Sequence, residues 1–155
     1  MRVILAALAC LFCGACAVKQ PHRIGPAGEA SAAKADLVVH IQGFKKAEGV
    51  FRAALFDSAR GFPGEHERAV ATRVGPVRDD GVRLVFEDLR AGQYALAVFH
   101  DLDDDGKLGT SWVGIPKEGF GASNNPSGLG PPSFDEARFT LAPPELEITI
   151  DLRHL

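Results

Sequence analysis

A chain of 155 residues that is 46% apolar and 24% charged carries enough hydrophobic material for one packed domain, which excludes a disordered chain. Its formal net charge of −3 gives no basic excess, so nucleic acid is excluded as an expected partner. Seventeen glycines and ten prolines imply many turns and favour an all-β chain.

Arg2 precedes the apolar run at residues 3–12, which is too short to span a membrane and suits an export signal. Two processing sites compete. Ala15-Cys16-Ala17 is a small-x-small site that would release a soluble protein from Val18. Phe12-Cys13-Gly14-Ala15-Cys16 resembles a bacterial lipoprotein box with Cys16 as the lipidated residue, although Cys13 stands where leucine is usual. The expected division is a signal peptide at 1–17, an Ala-, Gly- and Pro-rich tether at 18–35 and a β-domain at 36–155. All three cysteines, Cys10, Cys13 and Cys16, lie in the leader, so the domain has no disulfide framework. The expected location is the periplasm, free or as an outer-membrane-anchored lipoprotein.

Alternation begins at Asp36, with Leu37, Val39 and Ile41 on one face. Residues 50–56 form the next strand, in which Phe51, Ala53 and Leu55 share a face. A turn-rich loop follows at 57–64, then a short helical turn and a strand at 69–74. Asp79-Asp80-Gly81 is a turn, Val82, Leu84 and Phe86 form an inward row, and residues 88–92 turn the chain again. Residues 93–100 are apolar on both faces, which predicts a central strand. A short strand at 110–115 and a long irregular segment at 116–133 come next. Ala137, Phe139 and Leu141 mark a seventh strand, and Leu146, Ile148, Ile150 and Leu152 the last. Short strands between regular turns predict a single Ig-like or transthyretin-like antiparallel β-sandwich of about seven to eight strands.

The most specific chemistry lies at His100-Asp101-Leu102-Asp103-Asp104-Asp105-Gly106-Lys107. Asp101, Asp103 and Asp105 occupy the first, third and fifth positions of a calcium loop, Gly106 the sixth, and Lys107 offers a backbone carbonyl at the seventh. Position twelve is Trp112 rather than a bidentate glutamate, and the flanks read as strands, so this is no EF-hand. Further ligands would come from Asp57, Asp104, Asp135 or loop carbonyls. The competing reading is a solvated acidic turn whose side chains bond neighbouring N–H groups. Hard oxygen donors with only His100 adjacent argue against zinc or a redox metal. In the long loop, Phe120 with Asn124 and Asn125 would suit a sugar or peptide surface, or these groups simply hold the loop together.

No Gly-x-Ser-x-Gly, His-Glu-x-x-His or phosphate-cradling loop is present. His100 beside Asp101 is the one candidate base with an orienting carboxylate.

Several motifs occur together. They are Ala54-Leu55-Phe56-Asp57-Ser58 with Gly61-Phe62-Pro63, Val85-Phe86-Glu87-Asp88-Leu89 with Gly92-Gln93-Tyr94-Ala95, and Asp105-Gly106-Lys107-Leu108 after His100-Asp101. Gly114-Ile115-Pro116-Lys117-Glu118-Gly119-Phe120-Gly121, Ser123-Asn124-Asn125 and Gly130-Pro131-Pro132-Ser133-Phe134 complete the set. Together they resemble the bacterial domain of unknown function 2141 family across residues 36–152. The resemblance implies an exported, single-domain β protein with no established activity. Relatives often carry Asp where Gly109 stands, which leaves this copy one ligand short. Leu89-Arg90-Ala91-Gly92-Gln93-Tyr94 also resembles the Leu-x-x-Gly-x-Tyr turn of transthyretin-like and carboxypeptidase-regulatory-like sandwiches, where the tyrosine packs at a corner.

The expectation is therefore a non-catalytic cell-envelope binding or structural module, with calcium as its only candidate cofactor. Its partner would be an envelope protein or glycan, with membrane contact only through an N-terminal lipid. The alternatives are a small hydrolase using His100 and Asp101, and a ligand-free scaffold.

Overall fold

The computed structural model describes residues 33–128 and 130–155. The expected signal peptide, the Cys16 lipidation site and nearly all of the tether lie outside them.

Among the described residues, eight strands form two facing sheets. They are β1 (Lys34–Gln42), β2 (Val50–Phe56), β3 (Ala71–Pro76), β4 (Val82–Arg90), β5 (Gly92–Asp101), β6 (Phe120–Ala122), β7 (Phe139–Leu141) and β8 (Glu145–Asp151). One sheet runs β4-β1-β8 and the other β3-β2-β5-β6, with β7 paired to the start of β5. Pairing is antiparallel except between β1 and β8, the first and last strands, which are parallel in register from Asp36↔Glu145 to Gln42↔Asp151.

The alternating rows make the core. Leu37, Val39 and Ile41 of β1, Phe86 of β4 and Ile150 of β8 pack against Phe51, Ala53 and Leu55 of β2 and Leu96 and Val98 of β5. The opposite face of the larger sheet is also covered. Ala54, Phe56 and Ala97 lie under Phe62, Ala69 and Phe134. Hence β5 is apolar on both faces, as a central strand must be. The Tyr94 hydroxyl donates to the Arg90 carbonyl at 2.9 Å, which ties the β4–β5 corner across the turn.

Several boundaries differ from the sequence reading. β1 opens at Lys34, and Ala35 is already buried. β4 continues to Arg90, through the expected turn, because its pairing with β1 shifts register between Ala35 and Leu37. At that shift Asp88 adopts φ 57° and its N–H donates to Asp36 at 2.9 Å. Residues 110–115 are not a strand. They form a hairpin-like turn with a single bridge between Thr110 and Pro116. The segment 116–133 is not wholly irregular either. It contains β6, and Ser133 caps the short helix α1 (Phe134–Ala137) through a reciprocal bond with Glu136.

Candidate functional site

The Asp loop leaves the sandwich at the end of β5, and strand geometry decides which side chains meet there. Successive side chains on β5 point to opposite faces. His100 points to the inner face with Leu96 and Val98. Asp101 shares the outer face with Phe99. On the neighbouring strand Arg52 lies directly opposite Phe99, which places it diagonally from Asp101.

Asp101 is completely buried and fully engaged. Arg52 Nε donates to its Oδ2 at 2.5 Å, Gly106 N–H to the same oxygen at 2.9 Å and Asp105 N–H to Oδ1 at 3.2 Å. Burial pushes the Asp101 carboxyl up. The hydrogen bond and charge of Arg52, with the two N–H donors, outweigh it and hold the group below its ordinary value. The same pairing raises Arg52 above the usual arginine value. Arg52 Nη2 also donates to Asp104 at 2.5 Å, so one guanidinium bridges two carboxylates of the loop. Gly106 takes φ 81°, and this left-handed turn brings its N–H back onto Asp101.

A second buried carboxylate closes the far side. Glu118 accepts from Leu102 N–H at 2.8 Å and from Gly109 N–H at 2.6 Å, joining the loop's exit to its return. Sequence reasoning missed Glu118 and Arg52. Arg52 stands alone among the apolar residues of β2 and Glu118 beside Lys117 in the long loop, and only the fold brings them beside Asp101 and Leu102.

One oxygen from each of Asp101, Asp103 and Asp105 lies within 4.8 Å of the others, a spacing that a single calcium ion could bridge. The chemistry fits less well. Asp101 already holds a cation, three carboxylates fall short of the six to eight oxygens calcium takes, and Asp135 pairs with Arg138 instead. Lys107 enters the loop through its N–H, which donates to Asp105 at 2.8 Å.

His100 and Asp101 are not brought together as an acid–base pair, because adjacent strand residues face apart. His100 is 1% exposed, its ring lies edge-on to Phe44 at 5.1 Å, and its Nε2 donates to the Glu48 carbonyl at 2.7 Å. Close packing from the β1–β2 turn completes this enclosure. Gly49 has φ 71°, and a Cβ there would come within 2.3 Å of the Asp101 carbonyl.

The contact trio is also turned to internal use. The Asn124 amide donates to the carbonyls of Glu136 at 3.2 Å and Arg138 at 2.8 Å. Asn125 donates to the Thr149 carbonyl at 3.0 Å and accepts from Asp151 N–H at 2.9 Å. Phe120 lies beneath the Arg153 guanidinium, 5.6 Å from its ring centre. These side chains join the 123–125 turn to α1 and β8.

The fold and this site define an all-β sandwich with a loop-bearing end closed by buried carboxylates. The chain belongs to the family described as "Uncharacterized protein conserved in bacteria (DUF2141)", whose model matches residues 39–149. No curated protein matches it. Among solved structures it is similar to a fimbrial assembly protein from Parabacteroides distasonis, at 12% identity and a TM-score of 0.39 over 79% of this chain. The chain spans about half of that structure's length, 53%.

Proposed function

We propose that this protein is a non-catalytic binding or structural module of the bacterial cell envelope. One observation carries the reading. The buried polar side chains at the loop-bearing end are spent on holding loops. His100 serves the Glu48 carbonyl, Asp101 serves Arg52 and the Asp turn, and Glu118 serves two backbone N–H groups. Among the described residues no buried polar side-chain atom lacks a partner. A hydrolytic site needs a base that can reach substrate, and His100 is enclosed. Export rests on the leader, and Cys16 is the residue that would carry a lipid.

The Asp turn is then a closure device. The second reading, calcium held at the same turn, draws on the 4.8 Å grouping of the three carboxylates. Thermal unfolding of the full chain in chelator and then in millimolar calcium separates the two. A turn closed by Arg52 gives one midpoint in both conditions. A native-state ion site gives a midpoint that climbs with calcium concentration and is flat in an Asp103→Ala, Asp105→Ala variant. Replacement of Cys16 by serine, followed by metabolic labelling with a fatty acid, tests the anchor. Loss of label establishes lipidation, and an unlabelled parent chain refutes it.

A further inference from the structure

We propose that the hairpin at residues 107–117 is a membrane-docking finger for anionic lipid surfaces. Its tip is the largest reversal of ordinary burial in the described residues. Trp112 is 97% exposed, Val113 55% and Ile115 49%. This is not a loose loop. Ser111 N–H donates to the Ile115 carbonyl at 2.7 Å, Gly114 N–H to the Ser111 carbonyl at 2.9 Å and Ile115 N–H to the Ser111 hydroxyl at 3.0 Å. Below the tip, Thr110 bridges Pro116, and Lys117 N–H donates to the Gly109 carbonyl at 2.9 Å. The apolar side chains are thus held in water by a preformed turn, so docking costs little further ordering.

The order of groups along the hairpin identifies the occupant. Trp112, Val113 and Ile115 form the tip. The hydroxyl-bearing Thr110 and Ser111 stand behind it. Exposed Lys107 and Lys117 lie farther back, one on each arm. Hydrocarbon, the ester and glycerol layer, and phosphate follow one another in the same order across a bilayer surface. Residues 106–117 contain two lysines and no acid, although the whole chain carries −3. The exposed Asp103, Asp104 and Asp105 belong to the root, where Arg52 pairs with Asp104, and precede both arms. A protein groove would have no need of this graded polarity, whereas an anionic lipid surface complements each level. Trp112, with an apolar ring and one N–H donor, suits the interface.

Trp112 is the sole tryptophan, so its emission reports directly on the tip. The test titrates the full chain carrying Cys16→Ser with vesicles of phosphatidylethanolamine and phosphatidylglycerol, and separately with phosphatidylcholine. The expected result is a blue shift on the anionic vesicles and quenching by lipids brominated in the upper acyl chain. Val113→Ser with Ile115→Ser should weaken the partition at least about tenfold. Lys107→Gln and Lys117→Gln should each weaken it roughly fivefold on anionic vesicles only. Unchanged thermal midpoints show that these variants fold. A water-like emission while the protein sediments with vesicles would overturn the proposal, because the leader alone would then be binding. A blue shift that follows protein concentration without lipid would also overturn it, in favour of self-association. Either outcome leaves the non-catalytic reading standing, since that rests on the root of the loop.

Discussion

At the root of the 102–119 excursion two carboxylates, Asp101 and Glu118, are buried, and at its tip an indole stands in water. The root spends charge inside the protein and leaves none of its buried polar side-chain atoms unpaired. The tip spends apolar surface outside it and leaves that surface unpartnered. The contrast separates what holds the loop from what the loop offers. Substitutions at the root should register as stability, and substitutions at the tip as binding.

The largest effect is expected from Arg52→Met. It leaves the buried Asp101 charge with only two N–H donors and should cost about 3 kcal/mol in chemical denaturation. A loss below about 1 kcal/mol would mean that the guanidinium is ornamental and the backbone donors suffice. Glu118→Gln comes next. The amide keeps one acceptor for two donors, and about 2 kcal/mol should be lost. The third effect depends on pH. Asp101 titrates lower in the folded protein than in the unfolded chain, so its contribution is present above the unfolded value, near 4, and disappears as pH falls through the lowered native one. Stability measured against pH should therefore drop on the acid side, and Asp101→Asn should flatten that limb while lowering stability at neutral pH. The smallest effect is expected from Trp112→Ser, within about 0.5 kcal/mol of the parent chain. A loss of 2 kcal/mol there would dissolve the distinction between root and tip.

The sandwich was legible wherever a strand carries its own pattern. Residues 50–56 coincide with β2, and the two-faced apolar run at 93–100 lies within β5, because alternation and burial speak through single residues. β6 was illegible for the opposite reason. Phe120, Gly121 and Ala122 have no distinctive pattern and become a strand only by pairing with Phe99, Val98 and Ala97. The Ser133–Glu136 capping box was readable in principle from its spacing, but the helix it caps is a single turn. At the site, the Asp-x-Asp-x-Asp-Gly spacing falls on a tight turn in which Asp101 and Asp105 accept backbone N–H groups. The residue that neutralises it lies 49 positions away on another strand, and no local motif announces such a partner. The same limit applies to Asn124 and Asn125. Their residue types suit a sugar surface equally well until the backbone they bond is known.

The parallel pairing of β1 with β8 has a mechanical consequence. The chain enters β1 at one pole of the domain and leaves β8 at the other, with seven register pairs between them. Tension applied between these two points would slide the strands past each other and load all their hydrogen bonds at once, instead of peeling them one by one. A domain tethered at its N-terminal end and pulled from its C-terminal end would therefore resist as a clamp.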